Sequence, residues 1–508
     1  MRWFAPLLLA AIVGLCTVDA GFVYDDAHAI RDSPIVRGEA PMWEAFVRDY
    51  WGRPAADGVN SWRPVMPMIW SSVWGAFPNT PLPFHLLSAL LHVLCTALAT
   101  TFAWRLRVSE PWAIAVGSLF AVHPLNSEAV GALVAQADIF SFCLVLVSCL
   151  VALKPPTLAK GFLAAALLLL AALVKESATL FAPLVILLFA IQRGPGRAKL
   201  SASIPVAVAA IGIVALQLAL PRRATVHMWG NTLGHYVDGQ ERLLLGLFNI
   251  GQSLTMSVWP HRLSPSHGYA AIDPSEATLW PMALVGAVLL AVGLAGGSWA
   301  VTHRRADWIA ALSFLYAPAL LQSHWFIRLI TDLAERLLYP ATLGAAMIVS
   351  SCLFQVVKHV RVRRLAFAGL VLSALLVSVP ARRAWVSNEA LWTHGVEVEP
   401  KAMRHQYNLS NALIARGELD GAAFHRLLAV YLVNEFPAPV DWTRVRSLET
   451  MPAAERFVAL PAALYPDAPC PIVVAFLRQN ETVPTLHRHV LSRWTARYPD
   501  CFVAAPPR

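Results

Sequence analysis

Apolar runs long enough to cross a bilayer recur through the first three-quarters of this sequence. A transmembrane helix needs about 20 predominantly apolar residues. Eleven segments meet or approach that length: 4–20, 84–104, 112–133, 138–153, 160–174, 177–192, 201–220, 281–302, 308–326, 337–357 and 364–380. Only 14% of the 508 residues are charged, whereas a soluble domain is typically about a quarter charged. The sequence therefore predicts an all-α polytopic membrane protein.

The basic residues between these runs predict the orientation. With the N-terminus in the cytoplasm, the cytoplasmic connections are short, basic and nearly free of acids. They contain Arg105, Arg107, Lys154, Lys160, Arg193, Arg197, Lys199, Arg304, Arg305, Lys358, Arg361, Arg363 and Arg364. This distribution follows the positive-inside rule, and it explains the net charge of +9 without a nucleic-acid partner.

Two segments need an interpretation of their own for this orientation. Segment 4–20 is short with a basic start and could be a cleaved signal peptide. We prefer an uncleaved signal anchor, because no clear small-x-small cleavage site ends the segment. Segment 243–259 contains Asn249, Gln252, Ser253 and Thr255. The parity of the count requires that it does not span, so we expect an interfacial or re-entrant helix there.

Three polar segments then lie on the non-cytoplasmic side: a first loop 21–83, a second loop 221–280 and a tail 381–508. The predicted membrane domain is 1–380, and the cytoplasmic face has only short connections. Chemistry or recognition is therefore expected outside. Cys470 and Cys501 lie in the tail and could pair if it faces an oxidising compartment.

Two adjacent acids, Asp25 and Asp26, open the first outer loop within FVYDDAHAI. Neighbouring residues do not share a face of a helix or strand. In an irregular loop, one acid can point into a cavity while the other holds it in place. A carboxylate within hydrogen-bond reach of a hydroxyl can act as a general base. The alternative is a solvated loop pair, which the dipeptide alone favours.

Further ionisable and aromatic residues follow on the same predicted side. They are Trp62, Arg63, His123, Glu128, Asp138, Lys175, Glu176, Arg222, Arg223, His267, Glu335 and Arg336. An aromatic residue beside an arginine suits a sugar face or a phosphate, and a double arginine suits a phosphate. Taken singly, each could be an interface contact, a helix cap or an internal ion pair. A purely structural membrane protein has no reason to collect them on one face.

Several chemistries have no support in the sequence. No Walker loop or dinucleotide GxGxxG signature occurs, and no Cys/His spacing is typical of a metal site. A divalent ion held by Asp25, Asp26 and a partner is compatible with the sequence but not implied by it. No cofactor is therefore predicted.

Nine segments, read in order, resemble one family. They are FVYDDAHAI, RDYWG, SWRP, FHLLSALLHVLCTAL, LFAVHPLNSEAV, AQADIFS, LVKES, LSPSHGY and AERLLYP. They resemble the membrane half of the transmembrane and TPR-repeat-containing O-mannosyltransferases, including bacterial relatives, over about residues 21–430. The resemblance implies a GT-C glycosyltransferase architecture, a catalytic acid in the first outer loop and a polyprenyl-phosphate sugar donor.

The family's functional positions carry over one by one. The matching residues are the acidic pair Asp25 and Asp26, the His-Pro-x-x-x-Glu residues His123, Pro124 and Glu128, then Asp138, Lys175, Glu176, Glu335 and Arg336. Two positions depart from the pattern. Gln136 stands where the family has Arg, and His267 stands where an Asp is expected. These departures bear on the donor sugar and on the acceptor.

The tail resembles one TPR helical hairpin, QYNLSNALIARGELDGAA, predicted at about 400–430. A solenoid needs about three repeats to bury a core. We therefore expect a small helical cap, closed by Cys470 and Cys501, rather than a long peptide-binding array.

The resemblance implies transfer of a mannose-like sugar from a polyprenyl-phosphate carrier to an extracytoplasmic acceptor, a protein hydroxyl. Asp25 or Asp26 would be the general base. The phosphate would meet Arg222, Arg223, Arg336 and Lys175. The pocket would contain Trp62, Arg63, His123, Glu128, Asp138, Glu176, His267 and Glu335.

Three other functions stay open: transfer to a lipid or polysaccharide acceptor, a transporter or flippase of a lipid-linked sugar, and a non-catalytic scaffold. Transporters place charges near the midplane and often repeat their halves. Here the charges lie at one boundary and no internal repeat is visible, which counts against transport. The expected location is a bacterial inner membrane, or the endoplasmic reticulum in a eukaryote.

Overall fold

The computed structural model describes residues 3–54, 61–106, 108–219, 239–260, 262–267, 279–329, 331–433, 441–464, 466 and 469–503. Within these ranges the chain is helical, and the β-structure consists of two isolated bridges, Arg48–Pro54 and His267–Leu333. The prediction of an all-α polytopic membrane protein is confirmed.

The α-helices of the membrane half follow the apolar runs. In chain order they are α1 (Phe4–Gly14), α2 (Val65–Ala76), α3 (Pro81–Arg105), α4 (Glu110–Val122), α5 (Ser127–Gly131), α6 (Gln136–Ala152), α7 (Leu158–Val174), α8 (Ala182–Ile191), α9 (Gly196–Ala219), α10 (Gly239–Val258), α11 (Leu279–Thr302), α12 (Ala306–Leu321), α13 (Tyr339–Val356) and α14 (Val360–Arg383). By length and composition, six helical stretches of the described chain can cross a membrane. They contain α3, α6, α9, α11, α13 and α14.

Each of the eleven predicted segments coincides with a helix, although several helices begin or end some residues away from the predicted bounds. The segment predicted at 112–133 is helical as α4 only to Val122. Pro124 then begins a short 3-10 turn, because proline cannot donate a helix hydrogen bond and its ring clashes with the preceding turn. The segment predicted at 308–326 ends as α12 at Leu321.

Small residues bring the membrane helices close together. A Cβ built on Gly161 would lie 2.5 Å from the Ala202 carbonyl oxygen, and one on Gly344 would lie 2.5 Å from that of Ala311. Membrane helices associate through van der Waals packing, and glycine allows backbones to approach closely. These contacts join α7 to α9 and α12 to α13.

Gly286→Val is expected to destabilise the membrane domain. Gly286 of α11 faces α10, where a Cβ would lie 1.9 Å from the Leu247 carbonyl oxygen. Overpacking typically costs about 1–3 kcal/mol, and backbone atoms cannot move aside cheaply. Thermal unfolding in detergent measures the loss.

Gly297→Val on the same helix is the matched control, since no atom lies within 4 Å of its built Cβ. Equal melting temperatures for the two variants would contradict the packing.

The tail is predominantly helical in its described part. Its helices are α15 (Asn388–Val398), α16 (Met403–Arg416), α17 (Leu419–Val433), α18 (Trp442–Ser447), α19 (Ala453–Leu464), α20 (Cys470–Gln479), α21 (Pro484–Arg497) and α22 (Asp500–Val503). Helices α16 and α17 form a helical hairpin at the place predicted for one. Gly417 ends α16 at φ +81°, a left-handed conformation that glycine adopts without steric cost. A disulfide joins Cys470 and Cys501.

The tail packs directly on the first outer loop. One buried apolar cluster contains Tyr50 and Trp70 from the N-terminal part and Trp392, Leu427 and Trp494 from the tail. The ring of Trp392 meets the Tyr24 ring edge-on, with centroids 4.8 Å apart. The tail is therefore part of the wall around Asp25 and Asp26.

Candidate functional site

Asp25 and Asp26 have different environments. Asp26 is fully buried, and its Oδ1 accepts a hydrogen bond from the Val134 amide at 2.9 Å while its Oδ2 accepts one from the Val23 amide at 3.2 Å. Asp25 is half-buried and makes no hydrogen bond or ion pair with another residue in the described ranges. Asp26 therefore anchors the loop, and Asp25 is the acid with oxygens available for a ligand.

The backbone just before these acids is held from the tail. Tyr24 adopts φ +53°, a conformation that is uncommon for a bulky residue and needs surrounding contacts to persist. Its amide donates to Asn388 Oδ1 at 2.7 Å, and its ring contacts Trp392. Helix α15 thus fixes the turn that presents Asp25.

Charged groups from distant parts of the chain surround Asp25. Burial raises the pKa of this carboxyl, while Arg336 and Arg404 oppose the shift. Glu128 and His28 also interact with it electrostatically. A raised pKa makes a carboxylate a stronger base for a hydroxyl proton.

Glu128 and Arg336 form an ion pair. Glu128 lies on α5, just after the turn at Pro124, and Arg336 lies in the 3-10 turn Glu335–Leu338. The Arg336 guanidinium donates to Glu128 Oε1, and the Arg336 amide donates to Oε2 at 2.8 Å. Glu128 therefore offsets the charge of Arg336.

Two further ion pairs hold cations of the same region. Lys175 pairs with Asp138, and both side chains are at most 5% exposed. Arg63 donates through Nε to Glu176 Oε2 at 2.7 Å, and its guanidinium lies 4.9 Å from the centroid of the Tyr50 ring. The hydroxyl of Tyr50 donates to the Val134 carbonyl. The Arg63–Glu176 pair is therefore connected through Tyr50 to Val134, whose amide bonds to Asp26.

His267 lies between two carboxylates. Its Nδ1 is 2.7 Å from Glu399 Oε1, and its Nε2 is 3.2 Å from Glu335 Oε1. Burial lowers the pKa of the imidazole, but Glu399 and Glu335 outweigh burial and raise it to about 10. The histidinium thus connects the membrane domain to the tail.

Raising the pH is expected to weaken the attachment of the tail through His267. The folded pKa of about 10 exceeds the unfolded value of about 6.5. Protonation therefore stabilises the fold fully below pH 6.5, and this contribution is lost as the pH rises through 10. Melting temperatures at pH 6.5, 8 and 9.5 should fall more steeply for the parent than for His267→Gln. Parallel curves would show that the histidine is not charged.

Other predicted residues have main-chain partners. His123 Nε2 lies 2.9 Å from the Ser257 carbonyl oxygen, and His123 Nδ1 accepts from the Leu125 amide. The Trp62 indole donates to the Phe46 carbonyl at 2.9 Å. Arg222 and Arg223 lie outside the described residues. Among the residues described, no group of three His, Cys, Asp or Glu side chains is placed to hold a metal.

Sequence analysis missed two site residues because they come from the tail. Glu399 contacts His267, and Arg404 interacts with Asp25 and donates to Ser266 Oγ at 3.3 Å. The one available hint was the mixed charge of EVEPKAMRH, four residues after NEALW. A single TPR-like hairpin gave no reason to place those charges beside the first outer loop.

These features define a helical membrane protein whose first loop, polar turns and tail meet around the Asp25 carboxylate. The chain is similar to human Protein O-mannosyl-transferase TMTC1, with 26% identity over 492 residues, 84% of this chain and 55% of that protein. It is similar to Caenorhabditis elegans Protein O-mannosyl-transferase F38B6.6, with 24% identity over 80% of this chain and 59% of that protein. A match to Drosophila melanogaster Protein O-mannosyl-transferase Tmtc1 reaches 40% identity over 26% of this chain and 16% of that protein.

These matches confirm the resemblance to the TMTC-like family. The chain spans little more than half the length of the human and nematode relatives. No family model matches it, and no solved structure matches it.

Proposed function

We propose that this protein transfers mannose from a polyprenyl-phosphate carrier to a protein hydroxyl on the non-cytoplasmic side of the membrane. The relatives named as O-mannosyl-transferases support the class of reaction. The observation that carries the proposal is the Asp25 carboxylate, which makes no hydrogen bond or ion pair in the described ranges and interacts electrostatically with Arg336 and Arg404 where loop and tail meet. This is the arrangement that a general base beside a phosphate leaving group requires.

The proposed reaction is one inverting displacement. Asp25 takes the proton from the acceptor hydroxyl as its oxygen forms a bond to the anomeric carbon of the sugar. The bond between that carbon and the phosphate oxygen breaks, and its electron pair stays on the departing polyprenyl phosphate. Nearby guanidinium groups stabilise the charge that develops on the phosphate. Asp26 keeps the loop in place through its two backbone bonds.

A lipid-linked donor suits a site at the membrane boundary. Its polyprenyl chain would lie between the membrane helices, and its phosphate would reach the polar turns that contain Lys175 and Arg336. The disulfide of Cys470 and Cys501 in the tail favours an oxidising compartment. We accordingly place the site in the periplasm of a bacterium, or in the lumen of the endoplasmic reticulum in a eukaryote.

The proposal is tested with purified protein in lipid nanodiscs. Polyprenyl-phosphate-mannose and GDP-mannose are offered separately, together with a Ser/Thr-containing peptide, and the peptide is analysed by mass spectrometry. We expect a hexose on the peptide with the lipid donor alone. Transfer to an added lipid or polysaccharide acceptor instead would assign the alternative acceptor. Consumption of neither donor by folded protein would contradict a transferase function.

A further inference from the structure

The cations of this region differ in whether a carboxylate already neutralises them. Three are each held by a carboxylate: Arg63 by Glu176, Lys175 by Asp138 and Arg336 by Glu128. Arg404 instead bonds to a neutral hydroxyl, that of Ser266. In the part of the chain that the structure describes, Arg404 makes no ion pair with a carboxylate. Its charge therefore remains available for a ligand.

The position of Arg404 is fixed by contacts on both sides. It is the second residue of α16, next to His405, whose Nε2 lies 3.4 Å from Ser264 Oγ. Arg262 donates to the Val398 carbonyl at 3.1 Å, and His394 Nε2 lies 3.0 Å from the Leu263 carbonyl oxygen. These bonds tie the start of the hairpin to residues 262–267 of the second outer loop. Arg404 is thus presented to the site by a preorganised backbone.

The charge balance of the site indicates what Arg404 would bind. The Glu128–Arg336 pair is neutral as a unit, so Asp25 alone would repel an anion. Arg404 compensates that charge on the side of the tail, where it interacts with both Asp25 and Tyr24. A phosphate diester gains charge when it leaves as a monoester, which carries about 1.5–2 negative charges at neutral pH. A guanidinium placed there stabilises the transition state more than the ground state.

We propose that Arg404 of the tail binds the phosphate of the lipid-linked donor, so that the tail completes the active site of the membrane domain. This inference rests on the proposed transferase function. It assigns to the hairpin a role in donor binding, in addition to any contact with the acceptor. The ligand class is a polyprenyl phosphate and its mannosyl ester.

The experiment compares the parent with Arg404→Gln and Arg404→Lys as full-length protein in nanodiscs. The readouts are KM for polyprenyl-phosphate-mannose and direct binding of polyprenyl phosphate. For Arg404→Gln we expect KM and the dissociation constant for polyprenyl phosphate to rise about ten- to hundred-fold, because one or two charge-assisted hydrogen bonds are lost. Arg404→Lys should restore part of the binding, since it keeps the charge without the bidentate geometry.

Arg416→Gln is the matched control, because Arg416 lies at the opposite end of α16 and pairs with Glu389 and Glu418. It should leave KM and phosphate binding near the parent values. An unchanged KM and unchanged binding in Arg404→Gln would overturn the inference while leaving the transferase proposal intact. The inference would also be overturned if phosphatidylglycerol displaced bound polyprenyl phosphate as effectively as polyprenyl phosphate itself does. The site would then bind lipid headgroups without selectivity. A third outcome is that polyprenyl phosphate binding depends on Arg404 while the parent protein transfers no mannose. That result would support the binding site and contradict the transferase function.

Discussion

Asp25→Asn is expected to lower the turnover number about 10²- to 10⁴-fold, the usual contribution of a positioned general base. Asparagine keeps the size of the side chain but cannot accept the hydroxyl proton. Asp25 makes no hydrogen bond within the described ranges, so the melting temperature should stay near that of the parent. Single-turnover transfer from polyprenyl-phosphate-mannose and thermal unfolding, measured on the same sample, check both parts.

Asp26→Asn is the comparison that separates catalysis from anchoring. Each Asp26 oxygen accepts a backbone N–H bond, and an amide group can replace only one of them. The other N–H is left buried and unpaired, at a cost of about 1–3 kcal/mol. We expect Asp26→Asn to lower stability, whereas Asp25→Asn lowers turnover alone. Full turnover in Asp25→Asn would remove Asp25 as the base.

Lys175→Met is expected to destabilise the membrane domain by about 3–5 kcal/mol, because removing one partner leaves an uncompensated buried charge. Lys175 and Asp138 are 3% and 5% exposed, so water cannot replace the lost partner. Asp138 Oδ2 already has no hydrogen-bond partner. The melting temperature in detergent reports the loss.

The double variant Lys175→Met with Asp138→Asn is the control for charge. Neutralising both partners removes the unpaired carboxylate, so much of the lost stability should return. If the double variant were no more stable than Lys175→Met, the destabilisation would come from packing, and the ion pair would not be its cause.

Hydropathy predicted the membrane helices well for a physical reason. Lipid offers no hydrogen bonds, so an apolar run that crosses a bilayer must be helical. The break at Pro124 was also predictable, because proline removes a donor and clashes with the preceding turn. The exact end of α12 at Leu321 was not, since the following residues bond to distant main-chain groups, as His324 does to Asp332.

The sequence indicated candidate site residues, but not which residues each of them would pair with. The positive-inside rule collects Glu128, Lys175 and Arg336 on one face without saying which acid each cation meets. Those pairs join residues far apart in the chain, and helix packing decides them. Gln136 is a further example: where the family has Arg, its amide bonds to Trp70, Phe84 and Ser88. A fully buried position with neutral partners suits an uncharged side chain.

The tail was the part that sequence predicted least. One TPR-like hairpin indicated a small cap, and the cap is present, yet its contribution of Glu399 and Arg404 to the site depends on docking. Docking depends on apolar contacts such as Tyr24 with Trp392, which have no local pattern. Likewise His267, unexpected as a replacement for an acid, makes sense only beside Glu335 and Glu399.

The proposed reaction requires that the site and the tail open away from the cytoplasm. Single cysteines at Arg37, exposed in the first loop, and at Arg361, exposed in the last basic connection, test this with a membrane-impermeant maleimide on intact cells. Cys16 and Cys352, the free cysteines that are not buried, are first replaced by serine. We predict labelling of residue 37 in intact cells and of residue 361 only after permeabilisation. Labelling of both from the same side, or of residue 361 alone, would contradict the proposed orientation of the active site.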